Sequence, residues 1–498
     1  MQVPPELLQR VQKWLRQEKK SYINGQWVRG EGKGITLYNP ATEEVLCEYA
    51  GLSEAQLNDA IEAADTEFKK QTFGNLPARD RAVLLRKMGD IVRRNTQELA
   101  LIETLQNGKT FVESLGDDLP DSADVFDYYA GWTDKFYGEV SPTGAGTLNY
   151  ILREPLGVCG LIVPWNFPLL LTMWKLAPAL ATNNTVVVKP SSYTPLSFIR
   201  FMELLDAELQ LPPGLINMVL GQGSLVGNAL TASPKVAKIS FTGSTEVGKK
   251  IMEGSGKNHL RPLSLELGGK SPCIFFEDTP NLDAAIARAY QVMFSQKGEK
   301  CSEPTRFIIH RSIYKKVADA LVERAKAYRL GNPLDPNTQQ GAQCHKQHFA
   351  SICNYLEEGE RIGLKRLCGG LPAKAGDLAK GYYVLPTIYD NVDPNCRLAQ
   401  EEIFGPLLCL FPFETDEEAI ALANNTPYGL AAGLYTANIS RAHTLARELQ
   451  AGQIFINKYG QYDFAAPFGG TKQSGLGREM GVHSIEAFTQ VKSVLIQL

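Results

Sequence analysis

The stretch that decides the fold runs from Gly157 to Gly243, where short apolar runs alternate with longer segments of helical pattern. Strands rich in β-branched residues and separated by helical segments are typical of βαβ units, in which a parallel sheet is covered on both faces. The sequence therefore predicts an α/β fold with a parallel sheet here. The four runs are GVCGLIV (157–163), TVVVKP (185–190), LINMVLG (215–221) and AKISFTG (237–243).

The flanking segments extend this pattern. A second strand–helix series between about residues 263 and 460 predicts a second α/β domain. Residues 53–106 carry apolar side chains at three- and four-residue spacing, which predicts a helical layer. Residues 140–155 and the last fifteen residues look like exposed strands outside both series, and such edges often pair with another subunit. The runs of the second series are PCIFF (272–276), TRFIIH (305–310) and LLCLFPF (407–413).

Composition excludes several classes of protein. The chain has 498 residues, with 51 Lys and Arg against 54 Asp and Glu, so its net charge of −3 gives no basic surface for nucleic acid or anionic lipid. The richest apolar stretch, 158–174, is interrupted by prolines and is too short to span a membrane. The first twenty residues predict an amphipathic helix rather than a signal peptide. Nine scattered cysteines without a C-x-x-C pair argue against disulfides, and we expect a cytoplasmic protein with reduced thiols.

Two glycine-containing turns are candidate phosphate sites. GQGSLVG (221–227) lacks the glycine spacing of a dinucleotide fingerprint, which favours an ordinary turn. In FTGSTEVG (241–248) a strand stops at Gly243 and a helix starts at Ser244, so free N–H groups and the helix dipole favour an anion there. Ser244 can also serve only as a helix cap, and the two roles are compatible.

Two further residues carry candidate chemistry. Glu266 lies in an apolar strand, where a carboxylate without water or a partner has a raised pKa and can act as a general base; a solvated edge residue is the alternative. Cys301 lies in a glycine-containing loop beside Lys300, whose charge would favour thiolate; a small buried hydrophobe is the alternative. No metal site is predicted, because Cys344, His345, His348 and Cys353 are expected to lie solvated on one polar helix.

Five segments in a fixed order resemble the NAD(P)-dependent aldehyde dehydrogenase superfamily, over nearly the whole chain from about Tyr22. The resemblance implies a discontinuous Rossmann-like cofactor domain (1–138 and 158–265), a second α/β catalytic domain (266–481) and a small β-strand oligomerisation extension (139–157 and 482–498). It also implies a homodimer or a homotetramer. The segments are PWNFP (164–168), LELGGK (265–270), GEKC (298–301), EEIFGP (401–406) and PFGGTKQSGLGRE (467–479).

The resemblance also implies a reaction. Cys301 attacks an aldehyde carbonyl, and the oxyanion of the thiohemiacetal is held by the Asn166 amide and the Cys301 N–H. A hydride leaves for the nicotinamide, and water activated by Glu266 hydrolyses the thioester to the acid. The implied cofactor contacts are Lys189 at the adenosine ribose, Gly243 and Ser244 at the pyrophosphate, Glu402 at the nicotinamide ribose with Phe404 behind it, Trp165 along the cleft, and the Leu267 N–H near the carboxamide.

Two choices remain open within the family. Many NAD-preferring members carry Glu three residues after the strand-end lysine, whereas this chain has Ser192, which leaves room for a 2′-phosphate; we therefore expect NADP to be accepted, alongside NAD. The implied substrate tunnel is lined by Leu171, Trp174, Ser302, Tyr462 and Phe468, an apolar and aromatic set suited to medium-chain or aromatic aldehydes.

Three alternatives remain. The acidic segment DDLPDSAD (117–124) resembles positions that attract betaine aldehyde or aminoaldehydes in relatives, although an acidic, solvated helix N-terminus would look the same. A CoA-acylating relative usually lacks the base, so Glu266 speaks against that activity. A non-catalytic structural protein on the same fold is disfavoured because Cys301 and Asn166 are both present.

Overall fold

The computed structural model describes residues 2–498, so residue 1, at which the sequence-based cofactor domain begins, lies outside the described residues. Its helices, apart from a π-helical turn at Ser114–Asp118 and short 3₁₀ turns, are α1 (Pro5–Leu15), α2 (Glu54–Lys70), α3 (Ala78–Arg94), α4 (Thr96–Asn107), α5 (Phe111–Glu113), α6 (Leu119–Ala130), α7 (Leu170–Ala181), α8 (Leu196–Glu208), α9 (Gly223–Ala232), α10 (Thr245–Asn258), α11 (Leu282–Phe294), α12 (Arg311–Ala327), α13 (Lys346–Arg361), α14 (Arg397–Gln400), α15 (Asp416–Asn424), α16 (Ile439–Glu448) and α17 (Gly481–Ala487).

The strands are β1 (Ser21–Ile23), β2 (Gln26–Val28), β3 (Gly34–Tyr38), β4 (Val45–Ala50), β5 (Glu139–Ser141), β6 (Thr147–Pro155), β7 (Val158–Ile162), β8 (Thr185–Lys189), β9 (Ile216–Met218), β10 (Val236–Thr242), β11 (Leu263–Glu266), β12 (Pro272–Phe275), β13 (Arg306–His310), β14 (Lys365–Gly370), β15 (Leu385–Asp390), β16 (Leu407–Phe413), β17 (Tyr428–Gly429), β18 (Ala431–Tyr435), β19 (Gln453–Ile456), β20 (Thr471–Lys472), β21 (Gly475–Leu476) and β22 (Thr489–Gln497). Every run that the sequence predicted as a strand contains one.

The first sheet has eight strands in the order β2-β1-β9-β8-β7-β10-β11-β21, and its five central strands are parallel. Alternate side chains of β7 enter different cores, because successive residues of a strand point to opposite faces. Cys159 and Leu161 pack with the layer of α3, α4, α6, α7 and α8. Val158 and Ile162 pack with residues of α2, α9 and α10. Both faces are therefore covered, as the continuous apolar runs predicted.

The second sheet has seven strands in the order β14-β15-β16-β13-β12-β18-β19, parallel except for β14 at one edge. It too divides two cores. Ile274 of β12 lies in one core and Phe275 in the other. The predicted second α/β unit is confirmed.

The third sheet is antiparallel, with the order β22-β6-β5. Its strands belong to neither parallel sheet, as the sequence predicted. The two long strands, β6 and β22, pair with each other over nine residues. The α/β fold class with two parallel sheets and a strand extension is thus confirmed. The domain boundaries at residues 138, 157, 265 and 481 stay a prediction. Strand β21 falls in the range predicted for the catalytic domain, yet it extends the first sheet.

A membrane-spanning helix is not found within residues 2–498, since none of their helices is both long and apolar enough to cross a bilayer.

Candidate active site

A cavity of about 220 Å³ opens where the central strands of the first sheet end, next to the second sheet. In parallel α/β sheets ligands bind at the carboxyl ends of the strands. The segments after β7, β10 and β11 supply one wall, and the loop before β16 supplies another. The cavity brings together eight of the predicted site residues: Trp165, Asn166, Gly243, Ser244, Leu267, Cys301, Glu402 and Phe404.

Cys301 lies in the turn that follows the 3₁₀ segment Ser295–Gly298, and it faces this cavity. Burial, followed by the nearby charges of Glu402 and Glu266, raises the pKa of its thiol well above the ordinary value. The backbone approach is tight, because a Cβ on Gly269 would lie 2.2 Å from the Cys301 carbonyl oxygen. Only a glycine fits there, so LELGGK and GEKC are adjacent in the fold.

The expectation that Lys300 favours the thiolate is wrong. Its Nζ donates to the Val292 carbonyl at 2.8 Å and to the Ser295 hydroxyl at 2.7 Å, and it pairs with Glu303 Oε1 at 3.3 Å. Lys300 therefore ties the end of α11 to the catalytic turn, and its charge balances a buried carboxylate. The adjacent sequence position could not reveal this, because successive side chains in a turn diverge.

Asn166 is 5% exposed and its Nδ2 donates to the Glu299 carbonyl at 2.9 Å. One N–H of the amide is used in this bond. The second N–H of the same nitrogen is available to another acceptor. With Asn166 and Cys301 lining one cavity, the side-chain amide is suited to hold an oxyanion that forms beside the sulfur.

Glu266 is the last residue of β11 and is 2% exposed. Within the described part of the chain, neither carboxylate oxygen has a hydrogen-bond partner. Burial and the charge of Glu479 raise its pKa well above the ordinary value, and Lys175 and Arg478 oppose that shift only in part. The predicted raised pKa is confirmed in direction. Sequence reasoning missed two charged residues that act on the pKa of Glu266. They are Glu479, which ends the last quoted motif, and Lys175, which forms a short buried ion pair with Glu479.

An aromatic wall closes the other side of the cavity. The Trp165 ring lies 5.2 Å from Phe404 and 5.0 Å from His348, between ring centres. His348 Nε2 contacts the Phe404 carbonyl at 2.7 Å, and burial lowers the pKa of His348 to about 4. The neutral ring therefore donates its Nε2–H. Phe404 has a φ of 59°, a left-handed conformation that non-glycine residues adopt rarely and mostly at functional sites.

The expected solvated position of the Cys344, His345, His348 and Cys353 group is therefore wrong for most of its members. Cys344 is buried, and the two histidines pack on Trp165. Of the four residues, only His348 and Cys353 lie on α13. Because the neighbours of these residues in sequence are polar, the pattern did not predict that the first turn of α13 faces the cavity.

Glu402 accepts a hydrogen bond from the Gly269 N–H at 3.0 Å, and burial raises its pKa to about 7. A Cβ on Gly268 would lie 2.3 Å from Glu402 Oε2 and would displace this carboxylate from its present position. Leu267 differs from expectation in one detail. Its N–H donates to the Ser474 carbonyl at 2.9 Å and is not free for a cofactor amide, whereas its side chain lines the cavity.

Ser244 is the N-cap of α10 and accepts a hydrogen bond from the Val247 N–H at 3.4 Å. Ser244 therefore caps the helix and also lines the cavity, and both positions were expected from the sequence. Lys189 ends β8, and burial lowers its pKa to about 8. Its Nζ lies 3.5 Å from the Ser192 hydroxyl, which in turn donates to the Gly221 carbonyl at 2.8 Å. Lys189 and Ser192 thus lie together beside the glycine turn, outside the cavity of Cys301.

A second cavity, of about 360 Å³, has Trp174, Tyr462 and Phe468 in its walls, as expected. Their rings form a continuous aromatic surface: the Phe468 centre is 5.2 Å from Trp174 and 5.7 Å from Tyr462. The Tyr462 hydroxyl contacts the Ser302 Oγ at 2.6 Å, which joins this wall to the residue next to Cys301. Leu171 lies buried one turn before Trp174 in α7.

In the acidic segment Asp118 is buried, whereas Asp117, Asp121 and Asp124 are exposed. Asp118 forms a short ion pair with fully buried Lys109, and Asp124 pairs with Arg93 at 2.6 Å. Asp117 and Asp121 are the other two acidic residues of the segment. Partial burial and neighbouring acids raise the pKa of Asp121 to about 6. The interpretation as a solvated helix terminus is therefore wrong for Asp118, which is the last residue of the π-helical turn before α6 begins.

Comparison with known proteins bears directly on this arrangement. Residues 27–494 match the model of the aldehyde dehydrogenase family. The cytosolic aldehyde dehydrogenase 1 of Rattus norvegicus is 42% identical over 97% of this chain and 95% of its own length. The chain belongs to the aldehyde dehydrogenase family. A Bacillus cereus aldehyde dehydrogenase solved with NAD+ has a TM-score of 0.95 at 39% identity, covering all of both chains.

A third similar protein is an indole-3-acetaldehyde dehydrogenase of P. syringae, solved in complex with NAD+, with a TM-score of 0.95, 38% identity and 99% of both chains covered. The aldehyde dehydrogenase described here keeps the five motifs of its sequence at one cavity and its flanks. Outside those motifs, Lys175 and His348 contribute to the site, and Glu479 contributes from the end of the last motif. Only Glu479 carried a sequence signal, since it lies inside a quoted motif.

Proposed function

We propose that this aldehyde dehydrogenase oxidises an aldehyde to the carboxylic acid with NAD(P)+, with Cys301 as nucleophile. The observation that carries the proposal is the shared cavity of Cys301, Asn166 and Glu402, with partnerless Glu266 at the end of the adjoining strand. A nucleophile, an oxyanion donor and a buried base are the three groups that acyl chemistry at an aldehyde carbon requires.

The mechanism follows from these side chains. The Cys301 sulfur, once deprotonated, adds to the carbonyl carbon, and the oxyanion accepts the second N–H of Asn166 and the Cys301 N–H. When bound, the dinucleotide supplies the acceptor for the hydride that leaves this carbon. Glu266 then takes a proton from the water that attacks the resulting thioester, and the acid leaves as the thiol is restored. The raised pKa of Glu266 makes it a stronger base than an exposed glutamate.

The residues present fit a dinucleotide. Glu402 offers a buried carboxylate that accepts one backbone N–H, that of Gly269, among residues 2–498, so it can accept further hydrogen bonds from ribose hydroxyls. The first turn of α10 offers free N–H groups for a pyrophosphate. Ser192 takes the place of a carboxylate beside Lys189, and a cation next to a small neutral side chain tolerates a 2′-phosphate. We therefore propose that both NAD+ and NADP+ are used.

The substrate proposed is a medium-chain or aromatic aldehyde. The support is the aromatic wall of Trp174, Tyr462 and Phe468, which is joined to the nucleophile loop through Ser302. Flat apolar walls gain most from burying a ring or an alkyl chain.

A cationic aldehyde such as betaine aldehyde or an aminoaldehyde is the second candidate. It is favoured by the Asp463 carboxylate among the residues of the aromatic cavity, and by the absence of Lys and Arg from that lining as described here. Aromatic faces and a carboxylate together attract a quaternary ammonium group. Asp117 and Asp121, which belong to the acidic segment that suggested this substrate class, are not among the residues that line the cavity.

We propose four further points, on the acyl acceptor, assembly, the compartment and the domain division. Water rather than CoA takes the acyl group, since Glu266 is present. The sheet β22-β6-β5 serves assembly into a homodimer or homotetramer, as expected for the exposed edge of β22. The reaction takes place in the cytoplasm, by analogy with the cytosolic relative, and the cofactor and catalytic domains are divided as the sequence predicts.

The test is a panel of hexanal, benzaldehyde, betaine aldehyde and 4-aminobutyraldehyde, each assayed with NAD+ and with NADP+ and without CoA. We expect the highest kcat/KM for hexanal or benzaldehyde and reduction of both cofactors. Turnover of the two cationic aldehydes alone would replace the neutral substrate class by the second candidate. A strict requirement for CoA, or no oxidation of any aldehyde by a Cys301-containing enzyme, would contradict the proposal.

A further inference from the structure

A closed ring of buried polar groups lies behind the oxyanion donor. Asn166 Nδ2 donates to the Glu299 carbonyl at 2.9 Å, and the Glu299 carboxylate pairs with Lys297 Nζ at 2.7 Å. Lys297 Nζ donates to Asn107 Oδ1 at 2.8 Å, and Asn107 Nδ2 donates to the Trp165 carbonyl at 2.9 Å. Trp165 is the residue before Asn166, so the ring returns to its starting point. All four side chains are at most 5% exposed.

The chemistry of the ring leaves one arrangement for each amide. An ammonium group only donates, so the oxygen of Asn107 must face Lys297 and its nitrogen must face the Trp165 carbonyl. A carbonyl only accepts, so the nitrogen of Asn166 must face Glu299. An amide free to flip would present its oxygen to a developing oxyanion half of the time, and repulsion would replace stabilisation.

The backbone supports a functional reason for the ring. Lys297 has a φ of 64° and Gln296 a φ of 52°, both in the left-handed region. Such conformations are unfavourable for residues other than glycine and persist where surrounding contacts fix them. The turn carries Lys297 into the protein interior, where its Nζ also donates to the Asn107 carbonyl at 2.8 Å.

We propose that Asn107, Lys297 and Glu299 are positioning residues that hold the Asn166 amide with an N–H toward the reacting oxyanion. The proposal rests on the proposed function, in which Asn166 is the oxyanion donor. None of the three touches the reacting atoms; they act through Asn166 and the backbone on either side of it.

The test is a double-mutant cycle on the burst rate of NAD(P)H formation. Lys297→Met should lower the burst rate by about 10-fold to 100-fold, less than the roughly 100-fold to 1000-fold for outright loss of an oxyanion donor, because the Asn166 amide is still present. In an Asn166→Ala background the same change should alter the rate by less than about twofold, since coupled residues are non-additive. Lys315→Met, which removes an exposed lysine paired only with Asp319, is the matched control and should leave the rate unchanged.

A second variant separates position from stability. Lys297→Met leaves Glu299 buried without its cation, whereas Lys297→Met/Glu299→Leu removes both charges and should recover the thermal midpoint. The burst rate of this double variant should stay low. A burst rate that recovers with the midpoint, or equal rate losses in both Asn166 backgrounds, would overturn the positioning role. An Asn166→Ala enzyme with an unchanged burst would instead overturn the oxyanion assignment itself.

Discussion

Glu266 and Glu479 form a buried pair of carboxylates in which only Glu479 is in contact with a cation, Lys175. The negative charge of Glu479 is, after burial, the largest cause of the raised pKa of Glu266. Lys175 in turn donates to the Thr242 hydroxyl at 2.7 Å, at the end of β10. The pKa of the proposed base, Glu266, is thus raised by a neighbouring acid whose cation is fixed to the first sheet.

Glu479→Gln is expected to lower the pKa of Glu266, because a negative neighbour is removed while Lys175 remains. A base with a lower pKa becomes deprotonated at lower pH. The acid limb of the kcat profile should therefore move to lower pH, as measured by steady-state rates between pH 5 and pH 9 in buffers of constant ionic strength. Glu486→Gln, in α17 near the same terminus, is the control. A limb that moves to higher pH would contradict this account of Glu266.

The thiol of Cys301 offers a second test of local charge. Glu402→Gln removes the largest electrostatic cause of its raised pKa, so alkylation by iodoacetamide should become faster at any fixed pH below the midpoint. Lys300→Met should leave the pH midpoint of alkylation unchanged, since Lys300 is bound to Val292 and Ser295. A midpoint that rises in Lys300→Met would show that this lysine acts on the sulfur after all.

We expect cofactor choice to depend on Ser192. A glutamate at this position would bring a carboxylate to the 2′-phosphate next to Lys189, and like charges repel. Ser192→Glu should therefore lower kcat/KM for NADP+ by at least about 10-fold relative to NAD+, since 1.4 kcal/mol corresponds to a factor of ten. Ser192→Ala, which keeps the site small and neutral, should retain both activities. A wild-type enzyme that prefers NAD+ a hundredfold would refute the premise.

Asp118 bears on stability rather than on chemistry. Asp118→Ala leaves fully buried Lys109 with only Glu103 Oε2, 3.9 Å away. Breaking a buried ion pair costs about 3 to 5 kcal/mol, so the free energy of unfolding from urea titration should fall by about that amount. Lys109→Met/Asp118→Leu should recover only part of it, because buried Glu103 then loses the cation that lies 3.9 Å from it. A loss below about 1 kcal/mol in Asp118→Ala would mean that water reaches Lys109.

The fold could be predicted because its strands are locally marked. The run at 185–190 becomes β8 with all five residues buried, and a strand buried on both faces must be apolar throughout. The cap at Ser244 and the buried strand-end position of Glu266 were likewise predictable, since each lies at a strand or helix end that the pattern defines.

The electrostatic partners could not be predicted from local sequence. Lys175 and Glu479 are 304 residues apart, and only the folded sheet brings them together. Lys300 misled for the opposite reason: it is adjacent to Cys301 in sequence, but its side chain turns back to α11. The histidines before and within α13 are surrounded by polar residues in sequence and by aromatic rings in space. Charge pairing over long separations is decided by topology, which spacing does not encode.

The central claim is that Cys301 carries the acyl group until Glu266 releases it. The most direct measurement is intact-protein and peptide mass spectrometry of Glu266→Gln after mixing with hexanal and NAD+. The account predicts one equivalent of NADH, a hexanoyl group on the peptide containing Cys301, and very slow release thereafter. An unmodified Cys301 in the presence of stoichiometric NADH, or an acyl group on another residue, would contradict it.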